Sequence, residues 1–153
     1  MRHDDNPMSL CRMVYISEAT APMTGPSLQQ LVSGCSQRNR QKGISGLLLH
    51  AAGNFIQVLE GDVIKVPALF AKIVNDARHK NVRLLQQEMI DNRLFPDWGM
   101  QLATPQQAKS IDQAALDKAL IRLRLSKDHD SVSGRHAIAL LQEFRRQLMN
   151  DAA

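Results

Sequence analysis

The chain has 153 residues, a net charge of +4 and an ordinary apolar content, which suits one domain with a sizeable core. No apolar run approaches the roughly 18–20 residues that cross a bilayer, and the charged start at residues 1–7 lacks the apolar middle of a signal peptide. Lysines and arginines are scattered and the two cysteines show no metal or redox spacing, so neither a membrane nor a nucleic-acid partner is expected, and reduced thiols point to the cytoplasm.

Residues 1–9 are expected to form a flexible leader. Leu10–Ser17 predicts a first strand with Cys11, Met13, Tyr15 and Ser17 on one face and Val14 and Ile16 on the other. Neither face is strongly polar near its middle, so the strand should lie inside a sheet covered on both sides. Pro22 and Gly25-Pro26 mark a loop, and Thr24 or Ser27 is placed to cap a helix. In that helix Leu28, Leu31, Val32 and Cys35 recur at helical spacing, and the same stripe runs on to Asn39. A terminating asparagine is the plain explanation of Asn39.

Gly43–Gly61 predicts a hairpin turning at Gly53-Asn54. Its second strand carries Gln57 on the face of Phe55 and Leu59. A buried amide without partners costs about 1–3 kcal/mol, so Gln57 needs them. Asp62 is placed to start a second helix, with Pro67 in its first turn. Leu69, Ile73 and Ala77 form its buried stripe, with Phe70 and Val74 beside it and Lys72 and Asp76 at the flanks. Arg78-His79-Lys80 is expected to close this helix.

Val82–Ile90 predicts a fourth strand and Phe95–Leu102 a short fifth one, with Trp98 and Met100 on a common face. Beyond Thr104 two amphipathic helices follow, over Ile111–Leu125 and Ser133–Met149, joined by a polar linker. Their apolar faces need either the sheet or a second subunit as cover. The expected organisation is leader 1–9, a core domain 10–103 and a helical extension 104–153. The order β-α-β-β-α-β-β then α-α predicts an α+β fold, a ferredoxin-like βαββαβ sheet with an additional fifth strand. Both helices of the core domain should pack on one sheet face, and the two C-terminal helices on the other or against a partner.

No nucleotide-binding, metalloprotease or serine-hydrolase motif is present, and the five histidines form no ligand cluster. What stands out is a hydrogen-bonding set: Tyr15 on the first strand, Asn39 on the inner stripe of the first helix, Gln57 on the third strand, with Lys72 and Asp76 on the second helix. The fold brings these elements to the cleft between the two helices, lined by Leu31, Val32, Phe70 and Ile73. A flat apolar ligand with a polar imide edge suits that cleft.

The sequence resembles the BLUF family of flavin-binding blue-light sensors over about Leu10–Leu102. The resemblance rests on Val14-Tyr15-Ile16-Ser17, on Asn39 followed by Ile44-Ser45-Gly46-Leu47-Leu48, and on Phe55-Ile56-Gln57-Val58-Leu59-Glu60-Gly61. It also rests on Asp76-Ala77-Arg78-His79 and on Phe95-Pro96-Asp97-Trp98-Gly99-Met100. Pro67 and Gly99 are mild departures, and Lys72 stands where arginine is also found.

The resemblance implies a non-covalently bound flavin, FAD with FMN or riboflavin as alternatives. It implies Asn39 on the carbonyl edge and Gln57 between Tyr15 and the ring. Leu31, Arg38, Lys72, Ile73, Asp76, Arg78 and His79 are implied around the rings or the tail. Tyr15, Gln57, Trp98 and Met100 are the implied photoactive set, and the sequence leaves open whether Trp98 or Met100 faces the flavin. Light-driven electron and proton transfer from Tyr15 through Gln57 would rearrange hydrogen bonds and alter protein contacts. No enzymatic activity is expected. A downstream protein and a homo-oligomer are the expected partners. The competing readings are a flavin-free interaction module of the same fold and an acylphosphatase-type enzyme. The second needs an anion-cradling loop, and Glu18–Gly25 contains no arginine or lysine.

Overall fold

The computed structural model describes residues 9–22, 25–51, 53–96, 101–103, 113–124, 135–143 and 146. Its elements are β1 (Leu10–Ala19), α1 (Gly25–Gln41), β2 (Ser45–Ala51), β3 (Asn54–Asp62), α2 (Lys65–Val74), β4 (His79–Ile90), β5 (Gln101–Ala103) and α3 (Gln113–Arg124). Residues 135–143 are also helical.

The sheet order is β4-β1-β3-β2-β5. The first four strands pair antiparallel in the order of a ferredoxin-like split βαβ fold, and β5 runs parallel to β2. β1 and β3 are buried along almost their whole length, as expected of interior strands with apolar residues on both faces. Alternation then sorts the core into two clusters. Cys11, Met13, Tyr15, Leu48, Phe55 and Leu59 face α1 and α2 and meet Leu28, Val32 and Val66. Val14, Ile16, Leu47, Leu49, Ile56 and Val58 face the other way and meet Phe95, Leu120, Ala137 and Leu141. The C-terminal helical segments therefore cover the second sheet face.

Local chemistry explains the boundaries. α1 ends because Gly43, at φ 69°, turns the chain left-handed, and its N–H reaches the Arg40 carbonyl at 3.1 Å. Asn39 does not terminate the helix. Its backbone carbonyl takes the N–H groups of Lys42 and Ile44, at 3.0 and 2.8 Å, and this ties α1 to the start of β2. The hairpin turn lies one residue earlier than Gly53-Asn54: Ala51 pairs with Asn54, which leaves Gly53 at φ 76° as the second turn residue. At the start of α2, Asp62 Oδ1 accepts from the N–H groups of Ile64 and Lys65 at 2.8 and 3.1 Å.

α2 is shorter than its sequence pattern. It stops at Val74, Ala77 lies outside it and exposed, and Val74 is also exposed. Asp76 is the cause: its Oδ1 accepts from the Arg78 N–H at 2.9 Å, a local turn that competes with further helix. Arg78 consequently sits in that turn, while His79 and Lys80 open β4 rather than close the helix. The uneven alternation of β4 comes from shifts in its register with β1, between Val14 and Tyr15 and between Ile16 and Glu18. β5 is confined to Gln101–Ala103, and Phe95 is a fully buried plug preceding it rather than part of a strand. Trp98 and Met100 lie outside the described residues, as do residues 1–8 and the side chains of Ala115, Leu116, Ala119 and Leu123.

Candidate functional site

Tyr15 on β1 and Gln57 on β3 are direct register partners on two interior strands, so both side chains rise from the same point of the helix-covered face. Tyr15 is 3% exposed and Gln57 5%. The phenol donates its hydrogen bond to Gln57 Oε1, which answers the first question raised by a buried amide. Burial pushes the Tyr15 hydroxyl well above its ordinary pKa, and the acidic neighbours Cys35 and Asp76 push the same way. Tyr15 is thus held protonated, as a donor.

Above this pair a cavity of about 240 Å³ opens between α1 and α2. Tyr15, Gln57 and Asn39 supply its buried polar groups, Asn39 being 4% exposed. Leu31 and Ile73 line opposite helical walls, while Arg38, Lys72, Asp76, Arg78 and His79 complete the set expected from the sequence. All of these residues line one cavity.

Sequence reasoning missed Cys35, Lys42, Leu48, Phe55 and Leu69, which also line it. The signals were available: Leu48 is the register partner of Gln57, Phe55 shares the face of Gln57, and Leu69 precedes Ile73 by one turn. Val32 and Phe70 do not line the cavity. Val32 packs into the apolar core, and the Phe70 ring lies 5.5 Å from the Tyr15 ring at 53°.

His79 braces the far wall. Its Nε2 donates to the Ile73 carbonyl at 2.6 Å, since a carbonyl only accepts, and its Nδ1 pairs with Ser17 Oγ at 2.9 Å. One imidazole thereby ties the last turn of α2 to β1. His50 packs its ring 4.8 Å from Phe55, and burial lowers its pKa.

The cavity is ringed with positive charge from Arg38, Lys42, Lys72 and Arg78. Arg78 is matched by Asp76, whose carboxylate accepts from Arg78 Nε at 2.9 and 3.2 Å. These hydrogen bonds lower the Asp76 pKa to about 2, with the Arg78 and His79 charges adding to the effect and burial opposing it. A depressed carboxyl contributes stability that is present above about pH 4 and lost as pH falls through the folded value. The two side chains are 31% and 51% exposed, so water screens the pair and its contribution stays within about 1 kcal/mol. The urea midpoints of the wild type and Asp76→Asn should differ slightly at neutral pH and converge as the pH approaches 2. A gap that persists there contradicts the assignment.

Against known proteins, the profile of the family described as sensors of blue-light using FAD matches residues 10–101. The chain belongs to the BLUF family. Its BLUF region is 36% identical over 97 residues to the photoactivated adenylate cyclase subunit beta of Euglena gracilis, covering 63% of this chain and 11% of that protein. The blue light- and temperature-regulated antirepressor BluF of Escherichia coli (strain K12) is 29% identical over 121 residues, 78% of this chain and 30% of the other. This chain thus spans about a tenth of the first relative and under a third of the second. Among solved structures, the dark state of the BLUF protein BlrB superposes with a TM-score of 0.63 at 29% identity, covering 88% of this chain and 98% of that one. A bacterial light-regulated adenylyl cyclase superposes with a TM-score of 0.62 at 32% identity, over 74% and 33% of the two chains. BLUF proteins are flavin-dependent blue-light sensors, and the fold of this chain is theirs. Among the described residues no helix is long and apolar enough to cross a membrane.

Proposed function

We propose that this chain is a blue-light receptor that holds FAD between α1 and α2 and reads light through Tyr15 and Gln57. The observation that carries the reading is the hydrogen bond from Tyr15 to Gln57 Oε1 at the base of the cavity. The residues present suit a flavin. Leu31, Leu48, Leu69 and Ile73 give apolar walls for a ring system, and Asn39 and Gln57 offer amides to a carbonyl-rich edge. Arg38, Lys42 and Lys72 add positive charge to the lining, which would suit a phosphate-bearing tail.

A bound flavin supplies the blue-absorbing chromophore and, once excited, a strong one-electron oxidant. Tyr15 is the oxidisable neighbour. Loss of an electron makes its phenolic proton strongly acidic, and that proton is already directed at Gln57 Oε1, which can accept it. Once protonated, the amide of Gln57 is free to rotate or tautomerise, exchanging its donor and acceptor ends. When the electron and proton return, the donor pattern of the cavity differs, and with it the absorption of whatever is bound there. No covalent bond is made or broken at the ring.

We take residues 10–103 as the sensing unit, 1–9 as a leader and 104–153 as the element that passes the signal on. Output is a changed protein contact, to a second copy of this chain or to a downstream partner, and the chain itself is not an enzyme. A cytoplasmic location keeps its free thiols Cys11 and Cys35 reduced. Trp98 and Met100, outside the described residues, remain part of the proposed photoactive set.

The binding half of the reading is tested in the dark. Flavin fluorescence during titration with FAD, FMN and riboflavin should show saturable one-to-one binding of FAD, weakened in Asn39→Leu by removal of a buried polar contact worth about 1 kcal/mol. Absence of saturable binding by any flavin would sink the proposal.

A further inference from the structure

The sheet face opposite the cavity carries a run of buried charge. Arg12 on β1 stands in direct register with Glu60 on β3 and with Glu88 on β4. Its guanidinium serves both: Nε donates to Glu60 Oε2 at 2.8 Å and Nη1 to Glu88 Oε1 at 2.7 Å. Glu88 also accepts from Arg122 on α3, at 3.2 Å from Nε and 2.6 Å from Nη2. The Gln86 amide donates to the Arg122 backbone carbonyl at 3.2 Å. Glu60 itself is fully buried, and it also accepts the N–H groups of Leu94 and Phe95 at 3.0 and 2.8 Å. Two acids and two bases thus make one neutral ladder from the central strand to α3.

Its position is what gives it a role. The register pair Tyr15–Gln57 and the register pair Arg12–Glu60 lie on the same two strands, three residues apart and on opposite faces. A slide or twist between β1 and β3 set off at the first pair is applied directly to the second. Apolar contacts tolerate small displacements, whereas the buried Arg12–Glu60 pair and the part-buried Arg12–Glu88 pair depend on geometry. At the outer end Arg122 is half-exposed, so water can replace its contact with Glu88 cheaply. The ladder is therefore rigid next to the photoactive strands and labile at α3.

Resting on the light-receptor reading, we propose that Arg12, Glu60, Glu88 and Arg122 form an ionic latch that holds α3 on the sheet in the dark and loosens when the Tyr15–Gln57 pair rearranges. Arg12 and Glu60 are positioning residues, and the Glu88–Arg122 contact is the release point.

Hydrogen exchange on the full flavin-loaded chain, in the dark and under blue light, tests this directly. In the dark Arg122→Gln should speed exchange of α3 amides about fivefold, the scale of a lost half-exposed ion pair, and Arg122→Lys should restore most of the protection. Glu88→Gln should do at least as much, and adding Arg122→Gln to it should do little more, because both remove the same contact. Light should speed α3 exchange in the wild type and add less than about twofold in Arg122→Gln, while the spectral change keeps its wild-type size in both. Unchanged α3 exchange in dark Arg122→Gln overturns the latch, as does a light-induced increase of full size in that variant. A wild type with no spectral response refutes the light-receptor reading instead, and the dark comparison still decides whether α3 is held by the latch.

Discussion

Gln57→Leu should fold and bind flavin but show no red shift under blue light. Leucine keeps the bulk and apolar shape of this position, where the strand is buried on both sides. It removes the only kind of group there that can both accept the Tyr15 proton and change its own hydrogen-bonding sense. The phenol, 3% exposed, is left without that acceptor. The expected destabilisation is about 1–3 kcal/mol, measurable by urea unfolding in the dark. Light-minus-dark absorption of the flavin-loaded variant should be flat at illumination that saturates the wild type. A normal, reversible shift in this variant would remove Gln57 from the mechanism.

Glu60→Gln should destabilise the fold by about 3–5 kcal/mol, because it breaks a buried ion pair by removing one charge. The substitution preserves shape and changes only chemistry. It leaves Arg12, 4% exposed, with a single carboxylate partner, and it sets an amide N–H among the donors of Arg12, Leu94 and Phe95. Asp76→Asn is the useful contrast: it too removes an acid from an arginine, but one screened by water, with an expected effect within about 1 kcal/mol. Denaturant midpoints at neutral pH should rank the two accordingly. Equal effects would show that Glu60 is solvated or replaceable.

What was legible in the sequence follows the range over which each residue's interactions act. β1 and the stripe Leu28–Val32–Asn39 are set by periodicity within one element and form where expected, and the hairpin forms with its turn shifted by one residue. The end of α2 was not, because the helical stripe through Ala77 is overridden by a side-chain turn at Asp76 that periodicity does not register. Phe95 misled in the same way: aromatic residues favour strands, yet this one is taken up by the core. In the candidate site, residues marked by unusual chemistry were found, such as an amide on an apolar strand. Ordinary apolar wall residues such as Leu48 and Leu69 became visible only through register and helical phase. The ladder of Arg12, Glu60 and Glu88 was not legible at all. Its members are 48 and 76 positions apart along the chain, and only the strand order brings them together.

On the proposed reading, Tyr15 and Gln57 convert absorbed blue light into a new hydrogen-bond arrangement without covalent change at the chromophore. Visible absorption of the dark-adapted, flavin-loaded wild type, taken before, during and after blue illumination, tests it most directly. The flavin band should move to longer wavelength with little loss of intensity and return fully in darkness. Bleaching of the band, or a spectrum that light does not alter, would contradict it.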